Sequence, residues 1–127
     1  MKRQTGHWVS QAEYDLETAR VLLRSRRYVY TIFMCHLSIE KLLKACITEF
    51  RDEFPPRIHD LVRLAGLAGI QFPQEMSEFV AKLSGQGIVT RYPDNLGHYT
   101  RKIAGDYLTG TQEVFAWLLQ RLRSSES

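Results

Sequence analysis

The run Tyr28-Val29-Tyr30-Thr31-Ile32-Phe33-Met34-Cys35-His36-Leu37-Ser38-Ile39-Glu40-Lys41-Leu42-Leu43-Lys44-Ala45-Cys46-Ile47 decides the fold. Apolar side chains recur in it at helical spacing and occupy nearly every face except around Glu40, Lys41 and Lys44. A helix apolar almost all round must be the central one of a bundle or must carry a partner interface. The pattern runs on to Phe50, and Phe54-Pro55-Pro56 stops it, because the residue before a proline disfavours helical dihedrals and the proline rings cannot continue the ladder.

Upstream, Trp8, Ala12, Leu16, Ala19, Leu22 and Leu23 repeat at three- and four-residue steps, which predicts an amphipathic helix over residues 8–23. The basic turn Arg24-Ser25-Arg26-Arg27 joins it to the central helix, and its cations suit a helix end. Downstream, the spacing predicts a short helix over residues 59–68, capped by His59-Asp60 with Asp60 placing negative charge in its first turn. Pro73 suits the start of a fourth helix carrying Met76, Phe79, Val80 and Leu83 to a stop at Gly85. A loop of about fourteen residues to His98 or Tyr99 is then expected, long enough to suggest a functional or mobile segment. The last helix should cover residues 100–123 with Ile103, Tyr107, Val114, Phe115, Leu118 and Leu122 on its buried stripe. Gly105 and Gly110 within it imply close packing or a local bend, and the tail Ser124-Ser125-Glu126-Ser127 should fray. No segment has strand periodicity. The expectation is one all-α domain over residues 1–127 with its core in 5–123, an up-down bundle of four to five helices.

The chain has 127 residues, enough for one core without covalent staples. Lys and Arg number 17 against 14 Asp and Glu, and this formal charge of +3 permits contact with an anion without demanding it. Cys35 and Cys46, eleven positions apart on one helix, are separated by roughly 16 Å along its axis and cannot pair. They read as core residues. With no leader-like start and no apolar run approaching the ~18 residues of a membrane span, a cytoplasmic, reducing location is expected.

Chemically capable side chains gather in Thr90-Arg91-Tyr92-Pro93-Asp94-Asn95-Leu96-Gly97-His98-Tyr99. Arginine offers a planar fork of donors to a phosphate, and histidine moves protons near neutral pH. Three readings stay open: Arg91 and His98 cutting a phosphodiester, a phosphate or nucleotide contact without catalysis, or a structural role in which Arg91 pairs with Asp94 and His98 caps the last helix. Pro93 and Gly97 interrupt any continuous helix between Arg91 and His98. Lys41 and Lys44 could reach a phosphate from a groove between the first two helices, although a solvated stripe is their plainer role. His36 and Glu40 stand one turn apart on one face, a buried polar pair rather than a metal site, since no third ligand has a supporting spacing. No metal or cofactor is predicted. Tyr92 and Tyr99 could stack on bases, whereas Trp8 and Trp117 belong to helical core stripes.

Taken in order, Trp8, Ala12 and Asp15-Leu16, then Tyr28, Phe33 and the His36 to Ala45 run, Pro55-Pro56, His59-Asp60-Leu61 and Arg91-Tyr92-Pro93-Asp94 resemble the HEPN family, the higher eukaryotes and prokaryotes nucleotide-binding domain. The resemblance spans Trp8 to Trp117. It implies an up-down helical bundle that usually forms homodimers and is often encoded beside a small nucleotidyltransferase, acting with it as a toxin-antitoxin pair. Some members are metal-independent ribonucleases marked by arginine, four to six spacer residues and histidine; others lack the motif and bind nucleotides or partners. Arg91 and His98, with six residues between them, match that spacing at its long limit. In ribonuclease members a tyrosine near the histidine can receive a nucleotide from the transferase, which makes Tyr99 a candidate modification site. The implied function is a dimeric module binding a nucleotide or RNA phosphate through Arg91, Lys41, Lys44 and Tyr99. The alternatives are an endoribonuclease using Arg91 and His98, and a non-catalytic partner-binding bundle.

Overall fold

The computed structural model describes residues 1–94 and 96–124. Its helices are α1 (Arg3–Arg24), α2 (Tyr28–Arg51), α3 (Leu61–Ala68), α4 (Gln74–Val89) and α5 (Arg101–Ser124), with a 3-10 turn at Leu96–His98, and the described residues contain no strand. Of the tail expected to fray, Ser124 is instead the last residue of α5, its hydroxyl donating to the Gln120 carbonyl at 2.9 Å, and residues 125–127 lie outside those described.

The apolar run quoted above does become the centre: α2 packs on every other helix, and most intimately on α1. Ile32, Cys35, Ile39, Leu42, Leu43 and Cys46 are wholly removed from solvent. Burial pushes both thiols up to about 12, so they stay protonated and serve as packing. The pairing of Lys2 with Asp52 and of Asp15 with Lys41 shows α1 and α2 to be antiparallel. Likewise Tyr99 meets Gln86, Lys82 covers the Tyr107 ring, Phe79 meets Tyr107, and Phe72 meets Trp117, a ladder that sets α4 antiparallel to α5.

Three element boundaries differ from expectation. Helix α1 begins five residues earlier than Trp8, because its start is tied to the end of α2: the Lys2 amide and the Thr5 hydroxyl both donate to Glu49 Oε1, each at 2.9 Å. Helix α3 begins at Leu61, with Asp60 as its N-cap accepting from the Arg63 amide at 3.1 Å, which leaves His59 outside the helix. Helix α4 runs through Gly85 to Val89 rather than stopping there. The buried positions Val80, Leu83 and Gly87 continue one stripe, so packing outweighs the local penalty of roughly 1 kcal/mol for a helical glycine. The following loop is therefore shorter than expected, occupying residues 90–100.

The two glycines of α5 behave differently. A Cβ at Gly110 would lie 2.4 Å from a ring carbon of Phe79, so close packing, one of the two expectations, applies there; at Gly105 it would meet nothing within 4 Å. Gly110→Ala is expected to destabilise by about 1–3 kcal/mol through overpacking. Gly105→Ala should instead stabilise, by up to about 1 kcal/mol. Urea unfolding of the two variants checks the contrast; equal effects would contradict it.

Candidate functional site

A cleft of about 530 Å³ opens between α2, α3 and α4 and the start of the 90–100 loop. Val62, Ala81 and Ile88 give it apolar walls, while His36, His59 and Arg91 bring polar groups to it. The polar groups come from three separate parts of the chain, and one buried carboxylate organises two of them.

That carboxylate is Glu40, whose side chain is 5% exposed. Its Oε1 accepts from His59 Nδ1 at 3.0 Å and stands 3.7 Å from His36 Nδ1; its Oε2 accepts from Lys44 Nζ at 3.2 Å. An ionised carboxylate can only accept, so the His59 proton on this edge sits on Nδ1. Lys44 in turn lies 5.8 Å from the centre of the Trp8 ring, which places Trp8 against the core and away from Trp117.

His36 is sealed beneath α4. A Cβ on Gly87 would sit 2.5 Å from His36 Nε2, so α4 can cross here only because residue 87 has no side chain. Nε2 is buried without a hydrogen-bond partner. Burial, the largest influence, holds the imidazole below its ordinary 6.5; Glu40 pulls it up, the charges of His59 and Arg91 push it down, and a hydrogen bond with the His59 backbone pulls it up again. Below pH 6.5 the unfolded chain takes up a proton that the folded chain refuses, so this contribution to stability is complete above that pH and declines as pH falls toward the folded-state value. Urea unfolding from about pH 7.5 to about pH 5 should show stability falling with acidity, less steeply in His36→Gln. An unchanged slope in that variant would contradict the assignment.

Arg91 enters the cleft from just beyond α4. Thr90 caps that helix: it is fully buried and its hydroxyl donates to the Gln86 carbonyl at 2.6 Å, while the Arg91 amide donates to Ile88 at 3.1 Å. The guanidinium lies 5.3 Å from the centre of the Phe33 ring on α2. Its backbone is thus fixed at the helix end, and its side chain is steadied on an aromatic face while remaining exposed.

The other residues singled out by sequence are placed elsewhere. His98 is exposed in the 3-10 turn ahead of α5 and meets Tyr99 edge-on, with ring centres 5.3 Å apart; it is not part of the cleft lining that contains Arg91. The cap on α5 is Thr100, whose hydroxyl accepts from the Ile103 amide at 3.2 Å. Tyr99, the candidate modification site, is 8% exposed and donates its hydroxyl to Gln86 Oε1 at 3.3 Å. It lines a separate hollow with Arg26, Arg27 and Tyr28. Lys41 is ion-paired with buried Asp15 at 2.8 Å, and Lys44 with Glu40, so both lysines serve the interior. Tyr92 stands at the cleft with 76% of its surface exposed.

His59 is the residue that sequence reading missed. Its place beside Asp60 suggests a cap, yet it reaches back nineteen positions to Glu40. The available signals were the one-turn pair His36 and Glu40, and the Pro55-Pro56 stop that returns the chain toward α2. Among the described residues no cluster of three His, Cys, Asp or Glu side chains could hold a metal ion, and no helix is long and apolar enough to cross a membrane.

A five-helix bundle with an imidazole- and arginine-lined cleft beside its central helix defines the class of molecule. The HEPN domain model matches residues 5–122, and the chain belongs to that family. Two solved structures are similar over nearly all of both chains. TT1696 from Thermus thermophilus is 25% identical with a TM-score of 0.80, covering 94% of this chain and 98% of its own. ST0689, described as an archaeal HEPN homologue, is 25% identical with a TM-score of 0.76, covering 96% and 99%. No protein of curated function matches the sequence.

Proposed function

We propose that the cleft binds a phosphate of a nucleotide or RNA, and that the protein works as a homodimer beside a small nucleotidyltransferase in a toxin-antitoxin-like pair. The observation that carries the binding reading is the meeting of Arg91, with its forked donors, and the exposed imidazole of His59 in one cleft whose walls are apolar. A phosphate suits the arginine, and a base suits the apolar wall near Tyr92. Dimerisation is supported by the apolar surface around the cleft mouth, where Ile88 is 78% and Val62 53% exposed. The transferase partner and the toxin-antitoxin setting are proposed by analogy with other members of the HEPN family.

The ribonuclease alternative that pairs Arg91 with His98 finds no support within one protomer, since His98 lies outside the cleft lining. Titrating AMP and a short single-stranded RNA into the protein by calorimetry tests the binding reading. Saturable binding that weakens with added salt is expected. Absence of heat for both ligands would remove the cleft from consideration as a phosphate site. Analytical ultracentrifugation tests the dimer separately, and a monomer at all concentrations would overturn it.

A further inference from the structure

His59 reaches the cleft with one of its two ring nitrogens already committed. Its Nδ1 donates to Glu40 at 3.0 Å, and Glu40 is held on its other oxygen by Lys44 at 3.2 Å. In the neutral imidazole the remaining nitrogen, Nε2, then carries a lone pair and no proton. A phosphate oxygen is also an acceptor, so a neutral His59 and a phosphodiester would meet acceptor against acceptor. The same contact becomes a charge-assisted hydrogen bond once Nε2 is protonated. The charged and titratable groups facing His59 are Glu40, Lys44 and His36 from α2, its neighbour Asp60, and Arg91 just beyond α4. Lys44 offsets Glu40, while Asp60 Oδ1 is occupied by the Arg63 amide at 3.1 Å and the Ser84 hydroxyl at 3.4 Å. Arg91 rests on the Phe33 ring rather than on an acid. A proton on His59 therefore adds a charge that the free cleft leaves uncompensated and that a bound phosphate would offset. His36 cannot carry this proton to a ligand: it is 2% exposed with its Nε2 shut against Gly87, whereas His59 is 57% exposed.

We infer that a phosphate enters this cleft together with a proton, which His59 takes from solvent on Nε2, making the imidazolium a bridge between Glu40 and the bound anion. The inference rests on the phosphate-binding reading above. Binding and protonation are then linked in both directions: the anion strengthens the ring's hold on its proton, and acid strengthens the hold on the anion. The sign follows from the two states of the ring. Where the free ring is neutral and the bound ring charged, affinity rises by up to about tenfold for each pH unit of acidification. The gain ends once the free ring is protonated as well. The cleft thus loads in mildly acidic surroundings and releases its ligand as pH rises.

The test titrates the full chain with a deoxyribodinucleotide joined by one phosphodiester. Its charge stays fixed across the imidazole range, whereas a phosphomonoester such as AMP itself titrates near about pH 6. Calorimetry should show affinity at least about 10-fold higher at about pH 6 than at about pH 8. At about pH 7 the heat should differ between PIPES and Tris buffers in proportion to their ionisation enthalpies, which reports net proton uptake. His59→Gln should bring the two affinities within about threefold of each other and remove the buffer dependence, while His36→Gln should keep both effects. Proton NMR of the imidazole Cε1 resonances gives an independent reading. Saturation with the dinucleotide should raise the titration midpoint of His59 and leave those of His7 and His98 in place. Equal affinity at both pH values, heat independent of buffer, or an unmoved His59 midpoint would overturn the inference while leaving phosphate binding standing. So would a pH effect retained in His59→Gln or lost in His36→Gln. If neither the dinucleotide nor AMP binds at either pH, the phosphate-binding reading itself fails, and the wild-type titrations show this before any variant is made.

Discussion

Glu40→Ala is expected to lower the unfolding free energy by about 3–5 kcal/mol, the usual consequence of removing one partner from a buried ion pair. The size follows from what is left behind. Lys44, with its side chain 9% exposed, would keep an ammonium group in the interior with only the Trp8 face nearby, and His59 would lose the acceptor that holds it. Both losses fall on the same variant, so they do not add as independent terms. Replacing Glu40 and Lys44 together by apolar residues of similar volume should recover much of the loss, because the uncompensated charge goes with its partner. Urea denaturation of the single and double variants measures this. A single variant within about 1 kcal/mol of wild type would mean that water reaches Lys44 and that the network is not truly buried.

Arg91→Ala is expected to weaken binding of AMP or a short RNA by about 10- to 100-fold, the range for losing a charge-assisted hydrogen bond to phosphate. Its effect on stability should be small. The guanidinium is exposed, and its contact with the Phe33 ring is worth about 0.5–1 kcal/mol at such a site. Arg91→Lys should fall between the two proteins, since it keeps the charge and loses the planar fork. Calorimetric titrations at two salt concentrations resolve the matter: the alanine variant should show the flatter dependence of affinity on salt. Unchanged affinity in both variants would mean that the anion, if bound, lies elsewhere.

The fold was largely legible because its core helix announces itself. The apolar positions between Tyr28 and Ile47 repeat at helical spacing for several turns, and Pro55-Pro56 ends the segment without ambiguity. Two of the three boundaries that moved, the start of α1 and the end of α4, depend on contacts made by distant residues: Glu49 holds the first, and the burial of Gly87 against His36 supports the second. Local propensity carries no trace of either. Within the candidate site, Arg91 stands out from its neighbours in sequence, and His36 with Glu40 from their one-turn spacing. His59 does not, because its partner is nineteen positions away and its neighbour Asp60 offers the simpler capping role. The same limit applies to Lys41 and Lys44. Their chemistry suits a phosphate, but only the packed structure shows Asp15 and Glu40 already occupying them.

The length of α4 acts as a ruler. Arg91 follows the last helical residue, Val89, by two positions, with Thr90 locking the end of the helix. Each helical residue turns the chain by about 100° and advances it by about 1.5 Å, so one residue more or fewer after Gly87 would swing the guanidinium off the cleft even though every side chain were kept. Among relatives of this bundle, the distance in sequence between the small residue that crosses His36 and the arginine should therefore matter more than the identity of the residues between them, and a change in that count would mark a change of purpose.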